Sequence, residues 1–212
     1  MSIDALLDDH IAPIIAILRG VAPSEVVDLG NALVDEGIRL IEVPLNSPDP
    51  LESIGRLHAA VGHRALIGAG TVLTTRAVKA AAAAGARFIV SPNTDTGVIS
   101  CTVELGLESI PGFFTATEAL AAAAAGARDL KLFPAHSAGI THIAAIREIL
   151  PRAARIWAVG GINLDNFASW LTAGAVGVGI GGSLFRPGTT VDQMTMVARK
   201  LVSSFRSGSS TD

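Results

Sequence analysis

A parallel (β/α)8 TIM barrel is the fold class this sequence predicts, and three observations lead there. Short apolar runs alternate with amphipathic, helix-length stretches from Ile14 to Phe205, which makes eight strand–helix units. The junctions repeat: Ala84-Gly85-Ala86, Ala125-Gly126-Ala127 and Ala173-Gly174-Ala175 each end a helix just before a strand. The competing class, an open doubly wound sheet, is weakened because no G-x-G-x-x-G follows the first strand. The chain has 212 residues, enough for one good core and too few for two large domains. A single α/β barrel domain over residues 1–212 is expected, with 1–12 as an N-terminal extension and 207–212 as a disordered tail.

The elements follow in order. Ile14 to Gly20 is an apolar run ending in a charge and a glycine, strand one. Pro23-Ser24-Glu25 opens a helix with Val26, Val27, Leu29, Leu33 and Val34 on its apolar side, closed by Gly37. Leu40 to Leu45 is strand two, and Asp49 to Ala60 a helix with Pro50 in its first turn. Leu66 to Thr71 is a strand, Thr75 to Ala84 a helix. Phe88 to Asn93 is a strand, Thr96 to Leu105 a helix stopped by Gly106. Glu108 to Gly112 is a short strand, and Thr115 with Glu118 predicts a capping box for a helix reaching Ala125. Asp129 to Pro134 is strand six, followed by a helix over Ile140 to Leu150. Arg155 to Gly161 is strand seven. Asn163 caps a helix to Thr172, Val176 to Gly182 is the last strand, and Val191 to Phe205 the last helix.

Composition excludes several classes. Net charge is −3 with both signs scattered, so no basic stripe for nucleic acid exists. Cys101 is the one cysteine, which rules out an intrachain disulfide and fits a reducing, cytoplasmic setting. Asp4, Asp8 and Asp9 are wrong for the basic start of a signal peptide, and no apolar run reaches the ~18–20 residues of a membrane helix. His10, His58, His63, His136 and His142 form no i,i+4 pair, so no metal site is expected. Cys101 reads as a small core residue. His136, after strand six, is either a substrate contact or a solvated loop side chain.

Barrel active sites gather at the C-terminal ends of the strands. The polar residues there are Arg19, Glu42, Asn46, Thr71, Asn93 and Lys131. Lys131 sits in the middle of a buried strand. It is either an amine nucleophile, its ammonium disfavoured by burial and by Arg19, or a lysine that snorkels to solvent. Glu42 suits a general acid/base beside such an amine; with Arg19 it could also be a structural ion pair that plugs the barrel. Arg19 and Thr71 suit recognition of a carboxylate, though Thr71 is equally an ordinary strand-end hydroxyl. Gly160-Gly161 ends strand seven, and Gly181-Gly182-Ser183 ends strand eight. These two loops often bind phosphate through backbone N–H groups.

The residues quoted form recognisable motifs. They include Ile15-Ala16-Ile17-Leu18-Arg19-Gly20, Glu42-Val43-Pro44-Leu45-Asn46-Ser47-Pro48, Gly68-Ala69-Gly70-Thr71-Val72-Leu73, Ser91-Pro92-Asn93 and Pro111-Gly112. They continue through Ala116-Thr117-Glu118, Leu130-Lys131-Leu132-Phe133-Pro134 and Ala158-Val159-Gly160-Gly161. From Ile15 to about Gly188 the chain resembles the family of 2-keto-3-deoxy-6-phosphogluconate and 2-keto-3-deoxy-6-phosphogalactonate aldolases. The resemblance implies a class I, Schiff-base aldolase, usually a homotrimer, with no metal or other cofactor and a phosphorylated keto-deoxy sugar acid as substrate. It assigns the Schiff base to Lys131 and acid/base work to Glu42, places Arg19, Thr71 and Pro92 around the pyruvate moiety, and gives Gly160, Gly161, Gly181 and Gly182 to the phosphate, with Ser183 beside them. Gluconate-type members typically carry arginine four residues after the glutamate and threonine before the Gly-Gly pair. Here Asn46 and Val159 stand in those places. That pattern resembles the galactonate branch and implies cleavage of 2-dehydro-3-deoxy-6-phosphogalactonate to pyruvate and D-glyceraldehyde 3-phosphate. A gluconate-type aldolase, a phosphate-binding barrel isomerase or epimerase working by proton transfer alone, and a catalytically retired barrel are the alternatives.

Overall fold

Side chains alternate across a strand, so each strand of a barrel feeds two cores. In β1 (Ile14–Ile17), Ile15 and Ile17 join a small cluster inside the barrel, while Ile14 and Ala16 join the larger layer between sheet and helices. A computed structural model describes residues 1–9 and 11–208; His10 and 209–212 lie outside the described residues. After α1 (Ile3–Asp8) and β1 come α2 (Val26–Asp35), β2 (Leu40–Pro44), α3 (Pro50–Val61), β3 (Leu66–Gly70), α4 (Thr75–Ala83), β4 (Phe88–Val90) and α5 (Thr96–Glu104). The chain continues with β5 (Glu108–Ile110), β6 (Gly112–Phe113), α6 (Ala116–Ala124), β7 (Asp129–Leu132), α7 (Ala135–Ala138) and α8 (Thr141–Arg147). It closes with β8 (Arg155–Val159), α9 (Phe167–Thr172), β9 (Gly177–Ile180) and α10 (Val191–Gly208).

All pairings are parallel, in the order β5-β4-β3-β2-β1-β9-β8-β7-β6. The expected fifth strand is present in two pieces. β5 pairs with β4 and β6 pairs with β7, so this one stretch of chain, broken at Pro111, brings the two ends of the sheet together. The carbonyl of Pro111 still accepts from Lys131 N–H at 2.8 Å. The helices bury their apolar sides against the sheet. In α2, Val26, Leu29, Leu33 and Val34 are buried, each worth about 1.5–3 kcal/mol when taken wholly from water. Thr115 and Glu118 form the expected capping box of α6, and Pro50 opens α3.

Other expectations need correction. The N-terminal extension carries a short helix that the sequence did not signal: Ser2 caps α1 by accepting from Ala5 N–H, and Ile3 and Leu6 are buried at the strand-start end of the barrel. There Asp4 pairs with Arg155, whose Nε and Nη2 grip Asp129 at 2.9 and 2.5 Å; Trp157 Nε1 donates to the same carboxylate at 2.6 Å. Aspartate starting β7 thus finishes the lower end of the lumen. Ser207 and Gly208, expected in the tail, extend α10. Asn163 caps a turn rather than the helix, accepting from Asp165 and Asn166 N–H, and α9 begins at Phe167. An extra turn of helix, α7, precedes the helix expected over Ile140 to Leu150, which is shorter than expected: α8 ends at Arg147. Among the described residues no helix is long and apolar enough to cross a membrane.

Candidate active site

Lys131 lies two residues above Asp129 on β7 and faces the same lumen. It is 5% exposed, so it does not snorkel. Its neighbours on either side are Gly112 of β6, which has no side chain, and Trp157 of β8. Phe133, on the same face, puts its ring centroid 4.6 Å from Nζ. Burial lowers the Lys131 pKa first; Glu42 pulls it back up, and Arg19 pushes it down further. Glu42, on β2, is 2% exposed. Burial raises its carboxyl above the ordinary range, against the attraction of Lys131 and Arg19. The two groups feel each other's field, yet neither takes a hydrogen-bond or ion-pair partner among the described residues. Both are left free to react.

The room for Glu42 comes from β3. A Cβ at Gly70 would stand 2.8 Å from Glu42 Cγ and nearer still to the carboxylate, and one at Gly68 would strike the Phe88 ring. Glycine at alternate positions of one strand opens the lumen face. Thr71 follows directly, with φ +57, a left-handed conformation that a β-branched residue adopts only under strain of about 1–3 kcal/mol. Arg19 is exposed at the end of β1 and donates from Nη1 to Asn46 Oδ1 at 2.6 Å. The expected alternative, an Arg19–Glu42 ion pair plugging the barrel, is not what forms. Pro92 is half-buried, and its carbonyl backs onto Gly112, where a Cβ would clash with it.

A cavity of about 380 Å³ opens at the strand C-terminal ends. It takes in Arg19, Lys131 and Val159, both glycine pairs, Gly160-Gly161 and Gly181-Gly182, and Ser183. Glu42, Asn46, Thr71 and Pro92 stand outside this lining; Asn46 is joined to it by its hydrogen bond to Arg19, and Glu42 by its charge interaction with Lys131. Ser183 Oγ donates to the Ile162 carbonyl at 2.7 Å and ties the two glycine loops together. Its hydroxyl proton is therefore committed, and its backbone N–H remains for an anion. His136 donates its backbone N–H to Gly160 and packs its Cβ against Gly161, outside the cavity lining. Asn93 is exposed and also outside it. Phe133 and Arg186 line the cavity without having been singled out from sequence. Phe133 was legible as the next inward residue after Lys131. Among the described residues no group of three or more His, Cys, Asp or Glu could hold a metal ion.

A buried lysine and glutamate at the strand ends of such a barrel agree with the comparison to known proteins. A family model described as aldolase, KDPG and KHG aldolase, matches residues 4–199. The chain belongs to the KDPG and KHG aldolase family. Within it, the chain is 42% identical to the 2-dehydro-3-deoxy-6-phosphogalactonate aldolase of Escherichia coli (strain K12) over 194 residues, 92% of this chain and 95% of that one. It is 49% identical over 176 residues to a probable 2-dehydro-3-deoxy-6-phosphogalactonate aldolase of Rhizobium meliloti (strain 1021), covering 83% of each. The solved native structure of KDPGal superposes with a TM-score of 0.91 at 42% identity, over 93% of this chain and 96% of that one. In this aldolase Arg19, Glu42 and Lys131 lie on or at the ends of three strands around one lumen, with the glycine loops beside them.

Proposed function

We propose that the protein is a class I aldolase that cleaves 2-dehydro-3-deoxy-6-phosphogalactonate to pyruvate and D-glyceraldehyde 3-phosphate. The observation that carries this reading is the pair Lys131 and Glu42, both buried, shifted toward their neutral forms and without a side-chain hydrogen-bond or ion-pair partner among the described residues. Burial thus favours the free amine of Lys131 as a nucleophile and the protonated form of Glu42 as an acid, which are the two roles an imine-forming site needs.

The amine of Lys131 attacks the C2 carbonyl and gives a carbinolamine. Loss of water, with proton transfers through Glu42, leaves a protonated imine. Glu42 then takes the proton of the C4 hydroxyl. The C3–C4 bond breaks, its electron pair moves toward the imine nitrogen, and the aldehyde leaves. Glu42 returns the proton to C3 of the enamine, and water hydrolyses the imine to pyruvate and free Lys131. Arg19, held by Asn46, is suited to the C1 carboxylate through its two-pronged donors. The glycine loops offer backbone N–H groups to the phosphate. Val159 and Asn46 favour the galactonate epimer, as do the relatives at 42% and 49% identity. We further propose a cytoplasmic homotrimer, on the family resemblance and the single cysteine; light scattering of the purified protein tests the assembly.

Two measurements test the reading. Coupled pyruvate detection on both phosphorylated epimers should show the galactonate form preferred. Borohydride with pyruvate should inactivate the enzyme and add the reduced pyruvyl mass to the peptide carrying Lys131, and Lys131→Arg should abolish trapping. Full activity in Lys131→Arg would remove the covalent mechanism.

A further inference from the structure

Three cationic side chains line the cavity: Arg19, Lys131 and Arg186. Arg19 turns toward the β2 side of β1, where Asn46 holds it. Arg186 lies on the other side of β1, in the loop after β9. Its Nε donates to the Gly182 carbonyl at 2.7 Å, so the guanidinium rests across the second glycine pair. A Cβ at Gly182 would meet Arg186 Nε at 3.2 Å and Nη2 at 3.5 Å. The backbone beneath is fixed as well. Arg186 N–H donates to Thr189 Oγ1 at 3.0 Å, Thr189 N–H returns to the Arg186 carbonyl at 2.9 Å, and Pro187 packs against Gly20. Nη1 and Nη2 take no partner among the described residues.

We infer that Arg186 is a specificity-determining residue: its fork supplies the full positive charge at the substrate's phosphate, which the glycine loops alone cannot. The inference rests on the proposed aldolase reading. A phosphate monoester carries about −1.5 to −2 charge at neutral pH, and backbone N–H groups answer it with partial charges only. Lys131 is consumed in the imine and Arg19 is turned to the other side. A guanidinium on the cavity wall already anchored through Nε, with neither terminal nitrogen paired among the described residues, loses little freedom when it closes on phosphate oxygens. The same anchoring makes the site discriminate for a phosphorylated over an unphosphorylated sugar acid.

The test compares wild type, Arg186→Gln and Arg186→Lys on phosphorylated and unphosphorylated 2-dehydro-3-deoxygalactonate, with calorimetric binding of inorganic phosphate as a separate readout. Arg186→Gln should lose about 10- to 100-fold in kcat/KM on the phosphorylated substrate, the worth of a charged hydrogen bond. It should change little on the unphosphorylated one, trap pyruvate on Lys131 at the wild-type rate, and bind inorganic phosphate weakly. Arg186→Lys should recover part of the loss. Equal losses on both substrates would mean that Arg186 only clamps Gly182, and overturn the inference; so would undiminished phosphate binding in Arg186→Gln. If wild type neither turns over either sugar acid nor traps pyruvate, the aldolase reading fails by itself, and phosphate binding still decides the role of Arg186.

Discussion

The Glu42 carboxylate occupies the space that a side chain at residue 70 would fill. Glycine at this point of β3 is therefore a condition for an acid/base group on β2. Gly70→Ala should displace Glu42. A displacement near 1 Å is enough to lower kcat about 10²-fold, and the overpacking should cost about 1–3 kcal/mol of stability. Steady-state turnover and a thermal melt check both. An unchanged kcat would show that Glu42 has another place to go.

Glu42 itself should cost stability at neutral pH. Burial holds its folded-state pKa above the ordinary 4.5. Between those two values the folded chain binds more protons than the unfolded chain, so this group's contribution falls as pH rises through that window. Glu42→Gln removes the slope. Its melting temperature should match wild type at low pH and exceed it increasingly above 4.5, while kcat drops about 10²- to 10⁴-fold. A variant that melts below wild type at neutral pH would mean that Glu42 is held mainly as the partner of a buried cation.

Epimer choice should follow Val159. It is buried, lines the cavity, and faces Gly179 across the strand pair. Threonine has nearly the same shape and adds a hydroxyl. Val159→Thr should shift the kcat/KM ratio toward the gluconate epimer by roughly two- to tenfold, the value of one hydrogen bond of about 0.5–1.5 kcal/mol. The ratio for both proteins, measured with coupled pyruvate detection, decides it. A wild type that already prefers the gluconate epimer would overturn the weight placed on Asn46 and Val159.

Asp129 should bear on stability alone, since its carboxylate is taken up by Arg155 and Trp157. Removing it leaves Arg155 half-buried beside Asp4 only and Trp157 Nε1 without its acceptor. Asp129→Ala should destabilise by about 3–5 kcal/mol in denaturant unfolding, and Asp129→Asn, which keeps an acceptor for Trp157, by less. Lys131 should still trap pyruvate in the folded fraction of either variant. Loss of trapping with unchanged stability would place Asp129 in the chemistry instead.

The lysine strand, the glutamate strand and both glycine pairs were legible because each is a local pattern: a charge inside an apolar run, or two glycines where a strand stops. Relations across the barrel were not. Asp4 and Asp129 are 125 residues apart along the chain and read from sequence as a polar terminus and a strand start; folding gives them one arginine to share. The Pro111 break was hidden because β5 and β6 together still read as one short strand. Arg186 was hidden in a Pro-Gly loop, where a charge usually means a solvated turn. Its one sequence signal is its place three residues after Ser183, within reach of the second glycine pair. Gly68 and Gly70 could have been read as a spacing of two on a lumen face, which marks vacated volume.

The broken fifth strand has a further consequence. An open sheet ends in a row of unpaired donors and acceptors, on which a second chain can template itself. Here the closing stretch offers pieces of only three and two residues, already hydrogen-bonded outward to β4 and β7. The residue between them is a proline, which has no N–H to give. A misfolded neighbour that reaches the join finds no ladder long enough to extend. The join that closes the barrel is thus also a poor seed for fibrils.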